Sequence, residues 1–278
     1  LCPMRHLKPA LYVFALNVII SIYLQLNNVL LGFMKDTEAV GYFTAATKIM
    51  VITMSISSAL GAVIMPRTSN LIAEERMDEF KALVQKSYDF IFALAMPLMV
   101  GLIFTSPSAV LLLSGEGFVP AILTSQIVAF NILTVGLSGV MGIQVLYPLG
   151  KINIVILCTS IGAIINVFLN VLLIPRYGHN GTAVAYMLAE MTVTVSMFFI
   201  GKRYIPIRFL KRQHLNYVLG SVVMGVCLYF ISWLGLGNTA TLVMMISMGG
   251  IVYVVILLFL RDSIGMIPWK ILREKFGK

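Results

Sequence analysis

The stretch EAVGYFTAATKIMVITMSISSALGAVIMPR, Glu38–Arg67, decides the fold. From Ala39 to Met65 it is apolar or small and polar, with one exception, Lys48. A helical crossing of a bilayer needs about 20 such residues. The run is therefore long enough to span, and its one cation must be placed there for a reason.

The whole chain has the same character. Of 278 residues, 59% are hydrophobic and 11% charged, and the mean hydropathy is +0.97. Soluble domains carry about 25% charged residues. No soluble interior accommodates this much apolar side chain, so the chain is read as an all-α integral membrane protein. About eight spans are expected, near Pro9–Met34, Ala39–Met65, Tyr88–Leu113, Val119–Leu146, Ile152–Ile174, Gly181–Ile200, Tyr217–Leu234 and Ala240–Leu260. Asn70–Lys86 and the basic Trp269–Phe276 have apolar residues at helical spacing, and each is expected as a helix on the membrane surface. Pro97, Pro107 and Pro120 are expected to kink or end helices.

Charge fixes the threading. With the N-terminus placed in the cytoplasm, 17 of the 20 Lys and Arg fall in cytoplasmic segments. The outer loops hold Lys35 and Arg176, and Lys48 alone lies inside. Such a bias sets orientation and requires an even number of spans. The net charge of +9 is thus a topology signal and makes no case for nucleic acid. The loops are too short for a soluble catalytic domain. The three cysteines show no metal-binding spacing and read as small apolar packers. The chain opens Leu-Cys-Pro, without an initiator Met or a signal-peptide pattern, and is expected to be part of something longer.

Polar residues recur on single helix faces. They are Asn17, Ser21, Gln25 and Asn28 in the first span and Thr44, Lys48, Ser55 and Ser58 in the second. The fourth offers Asn131, Thr134 and Ser138, the fifth Thr159, Asn166 and Asn170, the sixth Thr182, Tyr186, Glu190 and Thr194. The last two spans have no such stripe. Lys48 and Glu190 each lie roughly 14 Å from the outer surface at 1.5 Å per residue. Gln25, Asn131 and Asn166 fall at a similar level. A charge at the bilayer centre costs about 2.5–3.5 kcal/mol. These groups must therefore face one another or a wet cavity. Two readings follow. One is interhelical hydrogen bonding with a structural Lys48–Glu190 ion pair. The other is a hydrophilic cavity with Lys48 as an anion contact. Arg67 reads as an anchor at the cytoplasmic surface, with a second reading as a gate contact for phosphate. Asp89 reads as interfacial.

Tyr147–Glu190 carries a more specific pattern: Gly150-Lys151, then Asn166 and Asn170, then Ile174-Pro175, Tyr177-Gly178, Gly181 and Ala183. With GYFTAATKI and MPRTSNLIAEER, it resembles the bacterial polysaccharide flippases, often called Wzx, of the multidrug/oligosaccharidyl-lipid/polysaccharide exporter superfamily. The resemblance implies two six-helix lobes plus two appended helices. Residues 1–203 would be the second lobe and 204–278 the appended pair with a basic tail. The N-terminal lobe would then be a missing partner within the same protein. The implied activity is translocation of undecaprenyl-pyrophosphate-linked oligosaccharide across the bacterial cytoplasmic membrane by alternating access, beside a polysaccharide polymerase. Both termini of this chain would be cytoplasmic. Lys48, Gln25, Asn28, Asn131, Asn166, Glu190 and Arg67 would contact substrate. No cofactor is implied, with H+ or Na+ as candidate coupling ions. A cation-coupled multidrug exporter of the same superfamily is the alternative. A membrane-embedded polymerase or ligase is the alternative of another class, with only His179 and Arg176 as candidate outer-loop groups.

Overall fold

The computed structural model describes residues 11, 14, 18, 25–209 and 211–260. Asn17, Ser21 and the surface helix expected at Trp269–Phe276 lie outside the described residues.

Residues 25–34 are helical and form the end of the first expected span. Asp36 then stops one helix and starts the next. Its carboxylate accepts from the Ala39 amide at 2.7 Å, capping α1, Thr37–Ala73. A turn at 74–76, with Glu75 at φ 57°, leads into α2, Met77–Ser114. The fourth crossing is built from three pieces: α3 (Ala121–Val128), α4 (Asn131–Gly139) and a π-helical turn, Val140–Leu146. Then come α5 (Ile152–Gly201), α6 (Arg212–Ser232) and α7 (Asn238–Phe259).

α5 is two crossings folded at Gly178, whose φ of 54° and ψ of −132° lie outside the helical region. Glycine takes that conformation without a Cβ clash. The two arms pack so closely that a Cβ on Gly162 would sit 2.2 Å from Val193 Cγ2. Close approach of this kind supplies the dispersion contacts that hold helices together in lipid, where no hydrophobic drive operates between them.

Among the described residues, five helical segments are long and apolar enough to cross a membrane, and α5 as a hairpin counts for two crossings. Large apolar side chains cover the outside: Phe33 and Phe259 are each 87% exposed. Such a surface suits hydrocarbon and is aggregation-prone in water. The expectation of an all-α, multi-pass membrane fold is borne out.

One expectation is corrected. Asn70–Lys86 is no surface helix. It is the end of α1, the turn and the start of α2, and its apolar residues Leu71, Phe80 and Val84 are buried against Tyr88, Val145 and Ile205. Pro97 and Pro107, expected to kink or end helices, lie inside α2 and do not end it. Each proline removes one helical amide and frees the carbonyl four residues earlier. The freed Ala93 carbonyl accepts from the Tyr253 hydroxyl of α7 at 2.6 Å. The freed Ile103 carbonyl accepts from Gln126 Nε2 of α3 at 3.1 Å. Neighbouring helices thus satisfy what the prolines leave open. Tyr253→Phe is expected to cost about 1–3 kcal/mol, the penalty of a buried acceptor left unpaired. A thermal-unfolding series in detergent, with Leu257→Phe as a volume control, reads the loss.

α6 and α7 pack on α2 and on each other. The other helices form the bundle that presents the candidate site.

Candidate functional site

The two ends of the bundle are distinct. At one end, the Tyr42 ring packs on Phe118 and His179, and Thr124 Oγ1 meets His179 Nδ1 at 2.7 Å and donates to Asn180 Oδ1 at 2.8 Å. These contacts gather residues 38–42, 118–124 and 179–180. At the other end, Lys151 lies over the Tyr204 ring, 4.8 Å from its centroid, and Gln85 bonds the main chain of Arg208. Among the described residues, the basic segments around 67–86, 151 and 202–209 gather here. This alternation is what the charge bias requires.

Lys48 is exposed. Lys48, Ile52, Ser55, Ala59, Val63 and Arg67 recur every three or four residues along α1, and all are exposed within this chain. Beside them runs the helical segment 25–34. Thr44 Oγ1 donates to Asn28 Oδ1 at 3.4 Å, which sets the register of these neighbouring helices. One turn deeper on α1 is Lys48, and one turn back on its neighbour is Gln25, also exposed. Lys48 and Gln25 therefore share a level, beside the half-buried Asn28. Arg67 lies at the far, basic end of the same stripe.

Asn131 and Asn166 are placed differently, with side chains wholly buried. Asn170 Nδ2 donates to Asn27 Oδ1 at 2.9 Å and faces Asn166 Oδ1 at 3.1 Å. This amide cluster ties the first span to α5. Among the described residues it is incompletely satisfied: Asn166 Nδ2 and Asn170 Oδ1 find no partner, and neither do the two amide atoms of Asn131 or Thr182 Oγ1. Buried amides without partners are costly in an apolar interior. Asn27 was not singled out from the sequence. It neighbours Asn28 but points to another face, and face-sorting selected only one of the pair.

Glu190 is half-buried beside Tyr186, whose ring meets Phe43 of α1 at 6.5 Å. Phe43 and Lys48 are five residues apart, about 140° around the helix at 3.6 residues per turn. The Lys48–Glu190 ion pair does not form. The salt bridges among the described residues are Arg76 with Glu74 and Glu79, Lys81 with Asp78, and Asp89 with Lys211 and His214. Among the described residues no cluster of three His, Cys, Asp or Glu comes together to hold a metal ion. The polar groups thus divide into an exposed set around Lys48 and a buried amide set behind it.

A cavity of about 660 Å³ opens between α1, α2, α6 and α7. Its wall is almost wholly apolar, with Leu98, Met224, Met245 and Leu257 among its residues. Ile52 belongs both to this wall and to the exposed stripe, one turn from Lys48. A cation, amides and a hydrocarbon-lined cavity therefore adjoin.

Asp89 lies at the basic end, buried within the protein. It is 8% exposed and accepts from Lys211 Nζ at 2.7 Å and from Gln85 Nε2 at 2.8 Å. His214 Nε2 meets Asp89 Oδ1 at 3.0 Å, and its Nδ1 lies 3.2 Å from the Lys211 amide nitrogen and 3.1 Å from the Phe209 carbonyl oxygen. The Phe92 ring stacks on the imidazole. This cluster fixes the start of α6 to α2. No local signal announced it.

Comparison with known proteins follows the same lines. The family described as "Polysaccharide biosynthesis protein" matches residues 5–123. The probable low-salt glycan biosynthesis flippase Agl15 of Haloferax volcanii is 24% identical over 237 residues, covering 85% of this chain and 50% of the relative. The uncharacterized membrane protein MJ1068 of Methanocaldococcus jannaschii is 21% identical over 173 residues, 62% of this chain and 34% of that protein. The chain thus spans half of one curated relative and about a third of the other. In fold it matches the lipid II flippase MurJ in an inward closed conformation, with a TM-score of 0.77 at 17% identity, over 90% of this chain and 53% of that one. A MATE in the straight conformation matches with a TM-score of 0.65 at 14% identity, over 90% and 61%. The resemblance to flippases of the multidrug/oligosaccharidyl-lipid/polysaccharide exporter superfamily, read from the sequence, is borne out.

Proposed function

We propose that this chain, with its exporter-superfamily fold, is the second lobe and appended pair of a flippase for lipid-linked anionic oligosaccharide. The carrier would be undecaprenyl pyrophosphate, and the membrane the bacterial cytoplasmic membrane, with the basic face inside. The observation that carries this reading is the adjacency of Lys48, Gln25 and Asn28 to the apolar cavity. A lipid-linked glycan has three chemical parts, and the site has a match for each. The ammonium suits the pyrophosphate or an acidic sugar. Carboxamides replace water around sugar hydroxyls. The apolar cavity takes hydrocarbon of the carrier.

The exposed stripe of α1 would face the other lobe across the translocation path. The lobe 1–203 and the appended pair 204–278 would then divide the work, the first lining the path and the second walling the hydrocarbon side. Arg67 would meet phosphate at the basic end. Asn131, Asn166 and Glu190 would act from behind, by setting the helices that present Lys48 and Gln25. A polysaccharide polymerase would take the product on the far side.

A drug exporter is the second reading, favoured by the MATE fold match. It predicts recognition of organic cations, for which an exposed lysine is a poor partner. The test is complementation of a strain lacking its own flippase by the full-length protein. Restored surface glycan with unchanged drug resistance is expected. Restored resistance to cationic drugs without glycan display would overturn the proposal.

A further inference from the structure

A second, smaller crevice lies at the basic end of the bundle, about 310 Å³ in volume. Tyr88, Leu137, Met141, Phe198, Phe199 and Phe209 line it. Phe199 and Val195 on its wall are exposed on the outside of the bundle.

The rim above this crevice is basic. Phe198 and Phe199 end the last apolar turn of α5, and Lys202 and Arg203 follow one turn later on the same side. Arg208 adjoins Phe209. All three cations are exposed, and the salt bridges among the described residues use none of them. The neighbouring carboxylate, Asp89, is already taken by Lys211, His214 and Gln85.

This rim is also held in place. Residues 205–209 are not helical, yet they are pinned along their length. Ile205 and Ile207 are buried. Gln85 Oε1 accepts from the Arg208 amide at 2.7 Å, and its Nε2 reaches the Arg208 carbonyl at 3.5 Å. The Tyr88 hydroxyl donates to the Phe209 carbonyl at 3.4 Å. The Arg208 side chain is exposed, and its neighbour Phe209 belongs with Tyr88 to the wall of the crevice.

We infer that the crevice and its rim form a binding site for an anionic glycerophospholipid of the basic-side leaflet. One acyl chain enters the aromatic crevice from the side, and the headgroup phosphate meets Lys202, Arg203 and Arg208. The occupant follows from charge and depth. The crevice ends where apolar helix gives way to cations, which is the acyl–headgroup boundary. Basic residues at that level favour anionic over zwitterionic headgroups. The occupant is a resident lipid, distinct from the translocated substrate, so its test does not depend on transport.

Native mass spectrometry of the detergent-solubilised full-length protein reads the site. Phosphatidylglycerol, phosphatidylethanolamine of the same chains, and sn-glycerol 1-phosphate are the probes. Phosphatidylglycerol should bind at least about tenfold more tightly than phosphatidylethanolamine, given roughly fivefold per cation. The K202A/R203A/R208A variant should lose that preference. Val195→Trp, which fills the mouth from its exposed side, should weaken retention of both lipids. R76A/K81A, elsewhere on the basic end, should change neither, and sn-glycerol 1-phosphate alone should not bind. Equal affinity for the two lipids overturns the inference. So does an effect of R76A/K81A as large as that of the rim variant, unchanged binding in Val195→Trp, or full binding of the headgroup without its chains.

Discussion

Replacing Lys48 with alanine is expected to cut translocation by the full-length protein about ten- to hundredfold, the worth of one charge-assisted contact of roughly 1.5–3 kcal/mol. The structure gives reason to expect a clean result. Lys48 is exposed and forms no salt bridge among the described residues. Its truncation therefore leaves no buried carboxylate behind, and insertion and melting temperature should stay as they are. Lys48→Arg should keep most of the activity, because a guanidinium still pairs with phosphate. Gln25→Ala should have a smaller effect, since a neutral amide contributes less than a charge. Surface-glycan display, normalised to protein in the membrane, is the measurement. Full display with Lys48→Ala would remove this side chain from the mechanism.

Asp89→Ala is the second large effect, and it falls on stability. The change strands Lys211 and the buried His214, which is 2% exposed, next to an apolar wall of Phe92 and Tyr88. Removing one member of a buried ion pair costs about 3–5 kcal/mol. The start of α6 should then detach from α2 and expose residues 205–211 to protease. Lys211→Ala should cost less, because that side chain is 27% exposed and His214 remains to bond the carboxylate. A double-mutant cycle between Asp89 and Lys211, read by thermal unfolding and limited proteolysis, apportions the two. An unchanged melting temperature in Asp89→Ala would show that packing alone holds α6.

The crossings were legible because their signal is local. A run of apolar residues marks a crossing wherever it occurs, and a lysine in a loop counts without reference to its neighbours. The surface helix at Asn70–Lys86 was misread for a related reason. Leu71, Phe80 and Val84 have the spacing of a face that needs covering, but spacing does not say whether lipid or protein covers it. The same gap divided the polar stripes. Gln25 and Asn166 look alike in sequence, yet one is exposed and the other wholly buried, according to which helix lies alongside. Asp89 was out of reach because its partners stand 122 and 125 residues away. Nothing near Asp89 in the chain predicts them.

The fold of α5 at Gly178 bears on how the protein is made. Arg176 is the sole Lys or Arg near the tip of that bend, and the tip is barely longer than the bend itself. Its arms already close on each other at Gly162. A pair so joined can enter the bilayer as one unit during synthesis, with almost no polar backbone to carry across. Lengthening the tip with charged residues would make the two arms partition separately, and biogenesis would then have to wait for each in turn.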